Sequence, residues 1–180
     1  MLLSYGDALK KYGSRYHVRR AIEDGTLKRV RHGTYSIEDN HESLALVAKR
    51  WPNAIVTGLS AYYILGLTDV IPDIIDLATK RRGTKINDSY VKQHFIPADW
   101  LEVGISSVEY DGTTLTIYDQ ERMLLELARN RNKLPFDIYK EIVASYRRRA
   151  DSLDIYKLQD YAEVMPRGKN YLDIVMKEVF

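Results

Sequence analysis

Ser4, Gly13, Ser14 and Gly25 divide the first 25 residues of this 180-residue chain into two segments too short for anything but brief helices. Ser4 is a helix N-cap and Gly13 a stop, which predicts a helix to about Tyr12. Ser14 caps the next helix, which runs to about Asp24 and is ended by Gly25. Ala8, Leu9 and Tyr12 give the first helix a small apolar stripe. Val18, Ala21 and Ile22 do the same for the second. At about 100° per residue, Tyr16 and Arg20 lie almost opposite that stripe. His17 and Arg19 flank them, and Arg15 lies nearer the core edge. Two such helices cannot make a core alone. Lys28-Arg29-Val30 and Thr34-Tyr35-Ser36-Ile37 read as two short strands around an Arg31-His32-Gly33 bend, with Gly33 free to adopt positive φ. Leu27 and Val30 do not alternate strictly, so a bulge is expected in the first strand. Helix, turn, helix and hairpin in that order predict a winged helix-turn-helix over residues 1–38.

Charge follows the same boundary. Met1 to Ile37 holds eight Lys and Arg against three acids, a formal +5. The remaining residues hold 19 basic and 22 acidic side chains, or −3, so the overall +2 conceals a cationic head. A basic helix followed by a basic hairpin is a footprint for a polyanion, and double-stranded DNA is the partner expected. Arg15, Tyr16, Arg19 and Arg20 would face the major groove, with Arg19 or Arg20 contacting guanine. Lys10, Lys11, Lys28, Arg29 and Arg31 would bind phosphates. His17 and His32 read as polar surface residues, because nothing nearby completes a zinc set.

Residues 41–180 read as a mixed domain, a small sheet and then a helical bundle, so the fold class expected is α+β. Strands are predicted at 54–57, 74–78, 91–96, 108–110 and 114–117, with Asp111-Gly112 as a hairpin turn. Helices are predicted from Asn40 or His41 to Ala48, over 61–65 and 120–130, from Pro135 to Arg149, from Asp154 to Met165, and from Lys169 onward. Arg147-Arg148-Arg149 reads as a solvated helix end favoured by the helix dipole. Fourteen tyrosines decide nothing by number alone. The absence of cysteine excludes disulfides, thiolate metal sites and a cysteine nucleophile. No apolar run approaches the ~20 residues of a membrane span. The start lacks a signal-peptide h-region, so a cytoplasmic protein without membrane contact is expected.

Enzyme chemistry finds little footing. Gly58-Leu59-Ser60 with Asp73 and Asp76 has some likeness to a nucleotidyltransferase, but metal-bridging carboxylates must be an even number of residues apart to share a strand face. Asp73 and Asp76 are not. No acid-x-Lys pair follows on the next strand, as a nuclease would need. His41 and His94 read as isolated. No Gly-x-Ser-x-Gly elbow, Walker loop or dinucleotide fingerprint is present. No catalytic residue, metal or cofactor is therefore assigned. The alternatives to a DNA-binding regulator are a DNA-tethered nucleotidyltransferase or nuclease, and a transcription factor whose body senses a ligand.

Three blocks carry a family resemblance. The first runs from Arg19 to Tyr35, a helix followed by Gly-x-Leu, a basic stretch and Gly-x-Tyr. The second runs from Ala54 to Ala61 and on through Gly66-Leu67-Thr68-Asp69, Ile71-Pro72-Asp73 and Ile75-Asp76-Leu77-Ala78. The third is Ile117-Tyr118-Asp119-Gln120-Glu121-Arg122, then Leu127, Arg129 and Arg131-Asn132-Lys133-Leu134. In that order they resemble the AbiEi antitoxins of type IV toxin–antitoxin systems. The resemblance implies an N-terminal domain that represses its own operon at promoter inverted repeats. It implies a C-terminal antitoxin domain that counteracts a nucleotidyltransferase-type toxin without a stable complex. Gly58, Ser60, Arg122 and Asn132 match family positions but read equally well as turn, cap or helix-end residues.

Overall fold

The computed structural model describes residues 2–24, 26–31, 33–36, 44, 47, 50–88 and 90–180; for Leu2, Lys28, Val30, Arg31, Thr34 and Ser36 it describes backbone alone. The chain forms two compact units, Met1–Ser43 and Leu44–Phe180. Its class is α+β.

The first unit contains β1 (Leu2–Ser4), α1 (Tyr5–Tyr12), α2 (Arg15–Glu23), β2 (Lys28–Arg31) and β3 (Thr34–Ser36). Ser4 Oγ accepts from the Asp7 N–H at 3.2 Å while the Asp7 carboxylate accepts from the Ser4 N–H, a reciprocal capping box. The Asp7 carboxyl is held below its usual range by the Ser4 hydroxyl, which donates to it at 2.6 Å, and by the Ser4 N–H. Gly13, with φ 81°, ends α1, and its N–H donates to Leu9 O at 2.8 Å. Ser14 Oγ accepts from the His17 N–H and starts α2 after a turn of only two residues. Past α2 the chain doubles back, the Leu27 N–H donating to Ala21 O at 2.8 Å, and Leu27 is fully buried. Leu3, Ala8, Val18, Ala21, Leu27 and Tyr35 make the core of this unit. Ile22, expected inward, is 36% exposed at the edge of the stripe.

The expected hairpin is part of a three-stranded antiparallel sheet of order β1-β3-β2. The third strand, Leu2–Ser4, pairs with Ser36–Thr34, its partners 30 to 34 residues apart in the chain. Three residues are too few to show alternation, so β1 carries no local signature. The bulge falls between Arg29 and Arg31, as the broken alternation implied. Gly25, His32 and most of the helix expected at 40–48 lie outside the described residues; of that helix Leu44 and Val47 are helical and buried.

The second unit runs β4 (Ile55–Val56), α3 (Gly58–Ile64), β5 (Ile75–Lys80), β6 (Val91–Ile96), α4 (Ala98–Leu101), β7 (Ile105–Tyr110), β8 (Thr113–Tyr118), α5 (Gln120–Asn130), α6 (Phe136–Arg148), a 3-10 turn (Ala150–Ser152), α7 (Ile155–Val164) and α8 (Gly168–Glu178). Its five-stranded sheet has the order β6-β5-β4-β8-β7. β4 is antiparallel to β5 and parallel to β8, and β5 runs parallel to β6. β7 and β8 are joined through Asp111 and Gly112, both left-handed (φ 49° and 68°), the geometry that an Asp-Gly hairpin turn favours. Asp119 Oδ1 accepts from the Arg122 N–H, and Asp154 Oδ1 accepts from the N–H groups of Tyr156 and Lys157, so each aspartate caps the helix that follows it. Helices α5, α7 and α8 pack together, and α5 also meets α3.

Three tyrosines are core material with a hydrogen-bonded end. Tyr62, Tyr118 and Tyr146 are buried, and their hydroxyls donate to the carbonyls of Met123, Leu101 and Gln120. Burial pushes all three phenols above their ordinary range. Tyr16 and Tyr156, at 67% and 80% exposure, take no part in a core.

Candidate nucleic-acid interface

Helix α2 owes its orientation to Val18 and Ala21, which are buried in the small core. That anchoring turns Arg15, Tyr16, Arg19 and Arg20 to solvent, and all four are exposed. Lys10 and Lys11, in the last turn of α1, are exposed as well. Tyr16 stands edge-on to the His17 ring, centroids 5.5 Å apart and planes at 72°. His17 Nδ1 lies 2.9 Å from Ser14 Oγ, which steadies the imidazole beside the tyrosine.

Arg19 is paired. Its Nε donates to Glu23 Oε1 at 3.1 Å, one helical turn on, with side chains 82% and 64% exposed. An exposed pair of this type is worth about 0.3–0.5 kcal/mol. A good bidentate base contact is worth about 1–3 kcal/mol. The pair with Glu23 is therefore weak beside a bidentate hydrogen bond and leaves Arg19 able to exchange partners. Asp24, which follows α2, accepts from the Thr26 N–H at 3.0 Å and from Thr26 Oγ1. Those bonds hold its carboxyl below the usual range.

Beyond α2, β2 carries Lys28, Arg29 and Arg31 on its backbone, and the Arg29 side chain is exposed. Gly33, with φ 76°, makes the bend, and its carbonyl accepts from the Tyr5 N–H at 2.8 Å. The tip of the hairpin is thus tied to the start of α1. Tyr5 and Tyr35 support it from inside, ring centroids 6.0 Å apart. The nine residues assigned to DNA from sequence all belong to this unit; for Lys28 and Arg31 only the backbone position is described.

In the second unit the sequence reading missed a pairing. His94, read as isolated, lies with Nε2 2.6 Å from Asp76 Oδ1. Asp76 is buried on β5, and its other oxygen accepts from the Leu59 N–H at 3.1 Å. Ser60 Oγ accepts from the Asp76 N–H at 3.0 Å. Asp73 is exposed and lies before the strand. The Gly-Leu-Ser turn therefore meets a carboxylate whose two oxygens cap a helix start and hold an imidazole. Among the described residues no third His, Cys, Asp or Glu joins them in a group able to hold a metal ion.

Gly58 is part of that arrangement. It has φ 56°, and a Cβ there would lie 2.6 Å from Asp76 Cγ. Gly58→Ala is expected to lower unfolding stability by about 2–4 kcal/mol, combining a left-handed penalty with overpacking. Urea denaturation followed by far-UV circular dichroism measures it. A loss under 1 kcal/mol would show that the turn yields freely.

No protein-family profile matches the chain, and no curated protein matches it in sequence. Solved structures do match in fold. The crystal structure of the RV2827C protein from Mycobacterium tuberculosis aligns over 97% of this chain and 72% of that one, with a TM-score of 0.60 and 17% identity. At that identity the likeness is one of fold.

Proposed function

We propose that this protein is the antitoxin and autorepressor of a type IV toxin–antitoxin pair, of the AbiEi kind that its three sequence blocks resemble. In this reading the first unit acts as a winged helix-turn-helix on promoter DNA, with α2 in the major groove and the β2–β3 hairpin along the phosphates. The second unit counteracts a nucleotidyltransferase-type toxin without a stable complex. The protein works in the cytoplasm and is not an enzyme. Among the described residues no helix is long and apolar enough to cross a membrane.

One observation supports the DNA-binding half above the others. Arg15, Tyr16, Arg19 and Arg20 share one short helix, all exposed, while Val18 and Ala21 fix that helix from behind. A solvated charged helix needs neither an exposed aromatic ring in its first turn nor a basic hairpin after it. The alternative of a tethered nucleotidyltransferase draws no support from Asp76, both of whose oxygens are engaged within the fold.

On a fragment of the promoter upstream of its own gene, Arg20→Ala should weaken binding by about 1–3 kcal/mol and relax preference at one base pair. Neutralising Lys28 or Arg31 should instead weaken binding on every sequence and flatten the plot of log K against log salt by about 0.9 per charge. Mobility shifts at two salt concentrations separate the two behaviours. Unaltered binding by all three variants would reject this placement of the interface. Co-expression with the toxin of a neighbouring gene, scored by growth, tests the antitoxin half.

A further inference from the structure

Leu44–Phe180 is electrically balanced, with 19 Lys and Arg against 19 Asp and Glu. Four of those cations lie within the six residues Lys80-Arg81-Arg82-Gly83-Thr84-Lys85, which contain no acid. All six residues are exposed. Among the described residues none of the four cations has an ion-pair partner, whereas nearby Arg50 is bound to Asp88 at 2.8 Å.

The loop is built rather than loose. Gly83 N–H donates to Lys80 O at 2.9 Å, and Arg81 N–H to Ile96 O at 2.7 Å. Gln93 on β6 stitches its far side. The Gln93 amide nitrogen donates to Thr79 Oγ1 at 2.8 Å and to Thr84 O at 3.0 Å, and its oxygen accepts from the Ile86 N–H at 2.8 Å. Ile86, buried, plugs the return. A loop held at both ends fixes the backbone from which its cations project, so binding has only side chains to order.

Arg82 carries a second signal. Its φ is 66°, left-handed. In the four-residue turn closed by Gly83 N–H and Lys80 O it holds the third position, where a left-handed backbone favours glycine. The glycine of this turn comes one residue later. An L-residue in that conformation is strained, and such strain concentrates where the side chain is put to use.

An aromatic ring completes the patch. Phe95 is 45% exposed and lies opposite Thr79 in the β5–β6 register, on the same face as Gln93. The loop crosses that face through its bonds to Gln93. Side chains two residues apart on a strand stand about 7 Å from one another, so the ring is one such step along β6 from the glutamine that holds the loop. Cations spaced along a loop beside an exposed ring are what an unpaired strand needs, phosphates on one side and a stacked base on the other.

We propose that the Lys80–Lys85 loop, with Phe95, is a binding site for single-stranded nucleic acid, distinct from the duplex interface of the first unit. Arg81, Arg82 and Lys85 hold consecutive phosphates, and Phe95 stacks on a base. Acidic protein and anionic membrane would not require the ring, and duplex DNA buries the base faces the ring would use.

The test uses the full chain with Lys10, Lys11, Arg15, Arg19, Arg20, Lys28, Arg29 and Arg31 changed to alanine, so that neither the base contacts nor the phosphate contacts assigned to the first unit intrude. Fluorescein-labelled 12-mers of uridine and of thymidine, a 12-base-pair duplex and phosphatidylserine vesicles are titrated in parallel. Binding of either single strand is expected, and the preferred one identifies the sugar. Arg82→Gly should weaken single-strand binding at least fivefold while leaving the melting temperature unchanged or raised, a combination a purely structural role cannot give. Phe95→Ala should weaken the single strands and leave the duplex unaffected. Changing Arg81, Arg82 and Lys85 together should flatten the salt dependence by about 2, at roughly 0.7 per charge on a single strand. Absence of single-strand binding, tighter binding to duplex or vesicles, or an unchanged affinity in Arg82→Gly would overturn the assignment. None of those results bears on promoter binding by the unaltered first unit.

Discussion

Arg122→Met lowers unfolding stability by about 3–5 kcal/mol, the cost of leaving half of a buried ion pair behind. The Arg122 side chain has no solvent exposure, and Glu126, one turn on, has 7%. The guanidinium donates to Glu126 Oε1 at 3.0 Å and to Trp100 O at 3.0 Å. Its central carbon lies 4.8 Å from the Trp100 ring and 4.7 Å from that of Tyr118. Methionine fills much of the same space, so the loss measures charge more than cavity. Glu126 would keep Arg129 at 2.9 Å and Asn130 at 3.0 Å, but Arg129 is 31% exposed and is held less firmly against solvent. The companion variant Arg122→Met/Glu126→Gln removes the stranded charge and should recover 1–2 kcal/mol, about what an unpaired buried group costs. Urea midpoints at constant m-value decide the matter. If the double variant is the less stable of the two, Glu126 is not the stranded charge and the attribution fails.

That arrangement was hidden in the sequence for a physical reason. Arg122 reads as an ordinary helix residue because its aromatic partners come from α4 and the end of β8, and Trp100 is 22 residues away in the chain. The same holds for Asp76 and His94, which meet only because β5 and β6 run parallel in one register. It holds again for Arg149, expected at a solvated helix end, whose guanidinium donates to the carbonyls of Leu65 and Gly66 at 2.7 and 2.6 Å. What could be read was local. The caps at Ser4, Ser14, Asp119 and Asp154, the stop at Gly13 and the turn at Asp111-Gly112 each involve groups within four residues. The cationic face of α2 was legible too, since helical spacing places its side chains. The Lys80–Lys85 loop escaped because its charge was averaged with the acids around it, and a local count would have found it.

Removing residues 1–43 abolishes promoter binding and leaves a cooperatively folded protein that still protects against the toxin. Each half of that expectation has its own ground. All nine side chains assigned to duplex DNA precede Leu44, so nothing assigned to that contact survives the cut. The remaining unit keeps its own core, in which Val56, Leu77, Leu115, Leu124, Ile142 and Leu158 are essentially inaccessible to solvent. None of those residues belongs to the small core around Leu3, Val18 and Leu27. A fragment with its own buried interior is expected to unfold in one transition. Calorimetry of residues 44–180, mobility shifts on the promoter fragment and growth under toxin co-expression measure the three properties separately. A fragment that folds but gives no protection would mean that the first unit takes part in antitoxicity, and the division of labour proposed above would be wrong. A fragment that represses as the full chain does would place the DNA contacts in the second unit, where the loop around Arg82 would be the first place to look.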